Sequence, residues 1–471
     1  MKNFILFFTF SFSFIIQAQT PCDNGLAGQY PCDGYDLLSA IDLNELDAFE
    51  ANDNWGWTDP LDGKEYAIMC LTNGTAFIDI SDPINPVYLG KLPTHTSSST
   101  WRDAKTYLNH VFVVSEAFDH GMQVFDLTRL RNVTNPPVVF TEDGHYDGFG
   151  SAHNIVINES TGYAYGVGTN TFSGGAHFVD IQFPTNPQAA GGYSNDGYTH
   201  DAQVITYSGP DPDHQNKELY LGSNEDELVI VDVTNKNNPS RISGLGYGNT
   251  GYTHQGWFTE DQRYFIVGDE IDELSFGFNT RTLIFDVSDL DDPFLSSEYF
   301  GPSPAVDHNG YVVGDKYYLS NYRAGMRVID ISDIENGNLQ EIGFFDSYPS
   351  SDGAGFDGVW NIYPFFDSGN IVISDINTGF YLVRDSSSPL SVKEPQTSNF
   401  TIYPNPAVSK VTITSDHTDL QTIKIFSVLG KNVAEFNQLS GVAEQIDISA
   451  LASGIYIVQV NGDTSQKLII Q

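Results

Sequence analysis

Four histidines recur at one register. His153-Asn154-Ile155-Val156, His200-Asp201-Ala202-Gln203, His254-Gln255-Gly256-Trp257 and His308-Asn309-Gly310-Tyr311 each open a short run, and Arg102-Asp103-Ala104-Lys105 opens a fifth. They account for four of the chain's 11 histidines. A second series alternates with them: Ser115-Glu116, Ser223-Asn224-Glu225, Asp269-Glu270, Ser320-Asn321 and Ser374-Asp375. If both series face one opening, His153, His200, His254 and His308 with Glu225 and Glu270 supply imidazoles and carboxylates. That is the donor set of a Zn²⁺, Mn²⁺ or Fe site, whereas carboxylates and Asn oxygens alone suit Ca²⁺. An ion there would activate water, with Glu225 or Glu270 as ligand or base, the chemistry of a hydrolase or lyase. The competing use is structural: each imidazole bonds a turn or an aspartate of its own repeat.

Other chemistry is sparse. The chain has no GxSxG elbow, no Walker loop, no HExxH and no paired cysteine ligands. Residues 268–273 form an acidic turn suited to Ca²⁺ but without the alternating ligand spacing of an EF-hand. Residues 142–147 read as a polar loop between repeats. Trp55 and Trp57 offer faces for sugars or, more ordinarily, packing. Cys70 sits in an apolar strand and reads as a buried thiol.

The elements that must position these residues come from a repeat. An apolar run ending in aspartate returns in Phe77-Ile78-Asp79, Val124-Phe125-Asp126, Phe178-Val179-Asp180, Ile230-Val231-Asp232, Ile284-Phe285-Asp286 and Val328-Ile329-Asp330, with a degenerate seventh copy ending at Asp385. Successive aspartates are about fifty residues apart, a spacing that marks one supersecondary unit per repeat. Each unit divides into four short strands separated by Gly, Asn, Asp and Pro, which predicts a β-propeller blade. Seven copies predict seven blades over residues 20–385. The seventh lacks a fourth strand, and residues 35–41 lack a blade, so the N-terminal strand is expected to close the ring. Closure removes open sheet edges. In a propeller the first strand of each blade is innermost. Equal register then puts the histidines at equal height around the channel, and antiparallel second strands bring the acidic series to the same mouth.

Composition agrees with an all-β exported chain. Aromatic residues make up 13% and glycine numbers 43, as in a turn-rich β protein. Net charge is −40, from 61 acidic against 21 basic residues, a surface that repels nucleic acid and anionic membranes. Residues 1–19 have the early charge, short apolar core and small residue of a signal peptide, with cleavage expected near Ala18 and Gln19. No later stretch is apolar enough to span a bilayer, so the mature chain is expected to carry no transmembrane helix. Cys22 and Cys32 bracket a Gly-rich decapeptide, and in an exported chain that spacing suggests a disulfide. Residues 386–398 read as a linker. Residues 399–471 alternate like a small β-sandwich.

The C-terminal unit resembles the type A sorting domain of the type IX secretion system of Bacteroidetes. Tyr403-Pro404-Asn405-Pro406, Val428-Leu429-Gly430-Lys431, Leu451-Ala452-Ser453-Gly454-Ile455-Tyr456 and Lys467-Leu468-Ile469 carry the resemblance. It implies export through the outer membrane by that machinery, removal of the domain by its sortase, and release or attachment at the cell surface. The repeat region resembles LVIVD-repeat propellers and, over nearly its whole length, the choice-of-anchor B family. The matching residues include Trp55-Gly56-Trp57-Thr58-Asp59-Pro60, His120-Gly121-Met122-Gln123, Tyr198-Thr199-His200-Asp201, Tyr252-Thr253-His254-Gln255 and Asn321-Tyr322-Arg323-Ala324-Gly325. That resemblance implies a fold and a location but no reaction. The expectation is therefore a secreted or surface propeller that binds an extracellular protein or glycan, with a metal-dependent hydrolase or lyase as the alternative.

Overall fold

A computed structural model describes residues 19–388, 400–415, 420–427, 432–437, 439, 441–461 and 464–470. The expected signal peptide up to Ala18, most of the expected linker, and residues 428–431 lie outside the described residues. The chain is all-β, built from many small sheets in an arrangement of the β-propeller type. Over residues 20–388 the described strands form seven sheets. Their first strands are Ala51–Thr58, Arg102–Tyr107, Asn154–Asn158, Asp201–Thr206, Thr253–Phe258, Gly310–Val313 and Val359–Tyr363.

The apolar-Asp phrase is the third strand of each sheet, and its burial explains its composition. In the fourth sheet, Leu228–Asp232 is buried at every position before the aspartate, while every residue of the outer strand Ser240–Leu245 is exposed or half-buried. A strand covered on both faces reads as a continuous apolar run rather than an alternation. The aspartate then turns the chain. Asp79, Asp126, Asp180, Asp232, Asp286, Asp330 and Asp385 each accept a hydrogen bond from the backbone N–H two residues on, at 2.8–3.0 Å. The seventh copy, degenerate in sequence, makes the same turn. In six of the seven sheets the pairing of third and fourth strands slips by one residue, a bulge that adds twist.

First strands are neighbours in sequence order, and the seventh packs against the first. Side chains tie their backbones together. Asp103 accepts from the Ile155 N–H at 2.8 Å, Gln203 from Phe258 at 2.9 Å and Gln255 from Gly310 at 3.0 Å; Asn361 donates to the Asn54 carbonyl at 2.9 Å. These inner edges have no strand partner, so Asp, Asn and Gln take that place. A Cβ at Gly56 would stand 2.1 Å from the Tyr363 ring, so glycine there lets the first and seventh sheets close up. The strand Tyr35–Asp42 pairs with Gly379–Asp385 and completes the seventh sheet.

Three features differ from expectation. Leu26–Ala27 and Tyr30–Asp33 form a hairpin that extends the sixth sheet, and a Cys22–Cys32 disulfide with a Cα–Cα distance of 6.0 Å ties it. Residues 142–147 are not only a loop, because Gly144–Tyr146 is the outer strand of the second sheet. Val138–Val139 crosses to pair in parallel with the first sheet's outer strand. The hairpin and the crossing strand depend on contacts between repeats, which a pass along one repeat does not reveal. Cys70 is buried with its thiol free.

Beyond residue 399, Phe400–Tyr403, Lys410–Ser415 and Ala443–Asp447 form one sheet. Asn432–Phe436, Ile423–Ser427, Gly454–Val460 and Thr464–Ile470 form another. The two share a core that includes Val411, Ile425, Val458 and Leu468. Asn432–Phe436 lies between the segments that the pattern picks out as strands.

Candidate functional site

The histidines reach one height through one backbone bond. The N–H groups of His153, His200 and His308 donate at 2.9 Å to the carbonyls of Val167, Ser223 and Ser320, each at the end of the neighbouring second strand. In the fifth sheet the register slips between Thr253 and Gln255, and His254 sits at the bulge. The four rings then follow one another around the inside. Centroids are 4.0 Å apart from His153 to His200, and 4.3 Å apart from His200 to His254 and from His254 to His308. Trp360 continues the row 5.0 Å beyond His308.

The partners differ at each position. His153 Nδ1 meets Glu116 Oε1 at 2.5 Å. His308 Nδ1 donates to the Trp360 carbonyl at 2.5 Å. Nδ1 of His200 and of His254 is buried and has no partner. A purely structural row would repeat one bond, and this one does not. The repeat aspartates are occupied with their own turns, so they are not the imidazoles' partners.

Glu270 completes the cluster. One ring nitrogen each from His200 and His254 and one Glu270 carboxylate oxygen lie within 4.8 Å of one another. Glu270 Oε2 is 3.7 Å from His254 Nε2, and Oε1 is 3.8 Å from His308 Nε2. The Tyr322 hydroxyl donates to Oε1 at 2.7 Å. Burial sets the charge states. It drives His200 and His254 well below the ordinary imidazole range, helped by the neighbouring histidines, and lowers His308 to about 3. All three are neutral near pH 7, the form that ligates a metal. Burial also raises the Glu270 carboxyl, against the Tyr322 hydrogen bond that favours its ionised form.

Of the residues singled out from sequence, the structure brings His200, His254 and Glu270 together, sets His308 against Glu270, and turns His153 toward Glu116. Glu225 stands apart. It lies exposed at a positive φ of 63°, and its carboxylate faces the Tyr252 phenol. Glu116 stood in the acidic series without an assigned role, and Tyr198, Tyr252 and Tyr322 are residues to which sequence reasoning gave none. A signal existed for two of them: Tyr-Thr-His stands at the start of the first strand in both the fourth and fifth sheets.

Below the histidines lies a buried charged belt. Asp53, Asp103 and Asp201 share Lys105, whose Nζ is 2.6 Å from Asp103. Beneath that is a cavity of about 350 Å³ lined by first strands of several sheets, with Trp55, Trp257, Tyr363 and Glu159 in its wall. The histidine cluster, the charged belt and the aromatic cavity thus follow one another along the first strands.

Comparison with known proteins bears mainly on the C-terminal unit. Residues 401–471 match the family described as secretion system C-terminal sorting domain. No curated protein matches the chain. Hydrazine synthase of Kuenenia stuttgartiensis is 10% identical, covering 68% of this chain and 92% of its own, with a TM-score of 0.48. The β-propeller domain of Cps50 (Swd1) from Myceliophteria thermophila is 11% identical, covering 71% of this chain and 97% of its own, with a TM-score of 0.47. PorZ, a surface component of the type IX secretion system of Porphyromonas gingivalis, is 13% identical, covering 93% of this chain and 58% of its own, with a TM-score of 0.42. Among the described residues no helix is long and apolar enough to cross a membrane. The sorting domain at residues 401–471 makes the chain a cargo of the type IX machinery, released outside the cell or held at its surface.

Proposed function

We propose that the protein is an exported seven-bladed β-propeller that binds a ligand at its histidine-lined mouth, through a divalent transition-metal ion held by His200, His254 and Glu270. The cluster itself carries this reading: two neutral imidazoles and a carboxylate from two adjacent sheets, with two buried ring nitrogens left unpartnered. Three protein ligands leave a coordination position for a donor atom of the partner. Seven aspartate turns and the cyclic order of first strands support the blade count, with Tyr35–Asp42 as the closing strand. Two sheets on one core support a C-terminal β-sandwich. The domain order follows as signal peptide 1–19, propeller 20–385, linker 386–398 and sorting domain 399–471. The likeness to choice-of-anchor B propellers fits this order. The partner is an extracellular protein or glycan, and a sortase removes the tail.

The hydrolase or lyase reading needs a base beside the ion. Of the two residues suited to that role by sequence, Glu270 is taken up as a ligand and Glu225 lies outside the cluster, so binding is the better account. Elemental analysis of protein purified without chelator tests the proposal. The expected result is one transition metal per chain, absent after a paired His200→Ala/His254→Ala change. A metal-free wild type that merely loses thermal stability on that change would refute it.

A further inference from the structure

The cavity beyond the charged belt has a chemistry of its own. It lies at the far ends of the first strands from the histidines: Thr106, Ile157, Ile205 and Trp257 line it, and each is the last residue but one of its strand. Its volume of about 350 Å³ falls in the roughly 300–1,000 Å³ range of small-molecule pockets.

Aromatic rings make up much of the wall. Trp55, Trp257, Tyr363 and Phe365 all line the cavity, and all four are half-buried. The Phe365 centroid is 5.9 Å from Trp55, 5.9 Å from Trp257 and 5.3 Å from Tyr363, with interplanar angles of 46°, 37° and 72°. Rings tilted in this way enclose a space, where flat stacking would close it. Their π faces carry the negative side of a quadrupole and attract cations. The chain shows this at one ring already, because Lys105 Nζ stands 4.5 Å from the Trp55 centroid.

Two charged residues line the cavity, and one of them is unanswered. Lys105 Nζ is paired with Asp103 at 2.6 Å. Glu159 follows the third sheet's first strand, is open to solvent and, among the described residues, has no hydrogen bond or ion pair. The protein around it still raises its carboxyl above the ordinary carboxylate range, by keeping water from the charged form. Burial raises the Tyr363 phenol first, and of the charges acting on that phenol Glu159 is the strongest, so carboxylate and ring share one side of the cavity. The rest of the wall includes Val156, Ile157, Val204 and Ile205, whose side chains offer a sugar's hydroxyls nothing to bond.

We propose that this cavity binds a quaternary or fully methylated ammonium group, with its methyls against Trp55, Trp257, Tyr363 and Phe365 and its charge met by Glu159. Such a group needs no hydrogen bonds, buries apolar surface and gains from π faces, which matches a wall of rings with one free carboxylate. The site needs no metal and stands apart from the histidine cluster.

Calorimetric titration of the full chain with choline chloride, after EDTA and at fixed ionic strength, is the test. Dimethylbutanol, the neutral carbon isostere of choline, is the control. Choline is expected to bind about tenfold more tightly than the isostere, or better. Glu159→Gln should weaken choline by about tenfold and leave the isostere unchanged, while Trp257→Ala should weaken both. Should Trp257→Ala fail to fold, Glu159→Gln, at an exposed position, decides alone. The His200→Ala/His254→Ala variant should bind choline as wild type does, which separates this site from the mouth. No binding heat with choline in wild type, equal affinity for choline and its isostere, or undiminished choline affinity in Glu159→Gln would overturn the proposal.

Discussion

A buried imidazole held neutral can face either a ligand or a fixed hydrogen bond, and this chain has both kinds. His200 and His254 have open ring nitrogens. His177 does not: Tyr146 and Thr171 hydroxyls contact its two nitrogens at 2.7 and 2.9 Å, and burial lowers it to about 4. The sign of its contribution follows. Unfolded, His177 takes a proton near pH 6.5; folded, it does not until about pH 4. Its stabilising share is whole above about pH 6.5 and is lost as pH falls toward 4. In urea titrations, His177→Gln should therefore be less stable than wild type by a wider margin at neutral pH than near pH 4; an equal margin at both would contradict this. The repeat aspartates behave differently. Asp286 holds the Ser288 N–H at 2.9 Å and is buried, so Asp286→Ala should cost about 1–2 kcal/mol in the same assay. The histidine row was legible in sequence because register follows from the repeat. The place of Glu225 was not, because a turn at positive φ decides where its carboxylate points. The contact of Glu116 with His153 was hidden for a related reason: it crosses from the second sheet to the third.

Strands and sheets were more legible than side chains. The apolar-Asp phrase marks the third strand because double burial imposes a continuous apolar run, and four-strand units follow from the turn residues around it. The closing strand could be foreseen from a missing fourth strand at one end and an orphan strand at the other. The hairpin on the sixth sheet could not, since its partner Asn338–Phe345 lies some three hundred residues away. The closing strand is also the element whose loss should be felt most. Leu38 sits at its bulge, 4% exposed, against Val372, Phe380 and Leu382. Leu38→Ala should lower stability by about 3 kcal/mol, measured by urea unfolding. A change below about 0.5 kcal/mol, the range of an ordinary surface substitution, would mean that this strand does not hold the ring closed.

At the scale of the whole molecule, two parts do separate work. The sorting domain carries the address, and its order of motifs was readable because such domains keep short turn sequences at fixed places. Deleting residues 399–471 should leave the chain in the periplasm, as fractionation with an antibody would show; unchanged surface display would contradict it. The repeat region carries the proposed site. The chain's net charge of −40 favours cations over nucleic acid or anionic lipid, which suits the proposed metal position. The ligand beyond the metal was not legible, because recognition depends on loops whose sequences follow no repeat. The central claim is that an ion joins two sheets at the mouth. The direct measurement is anomalous X-ray scattering from crystals of protein purified without chelator, at the absorption edge of whichever transition metal elemental analysis detects. The account predicts a single peak between His200, His254 and Glu270. No peak there, with ordinary density for two hydrogen-bonded imidazoles, would contradict it.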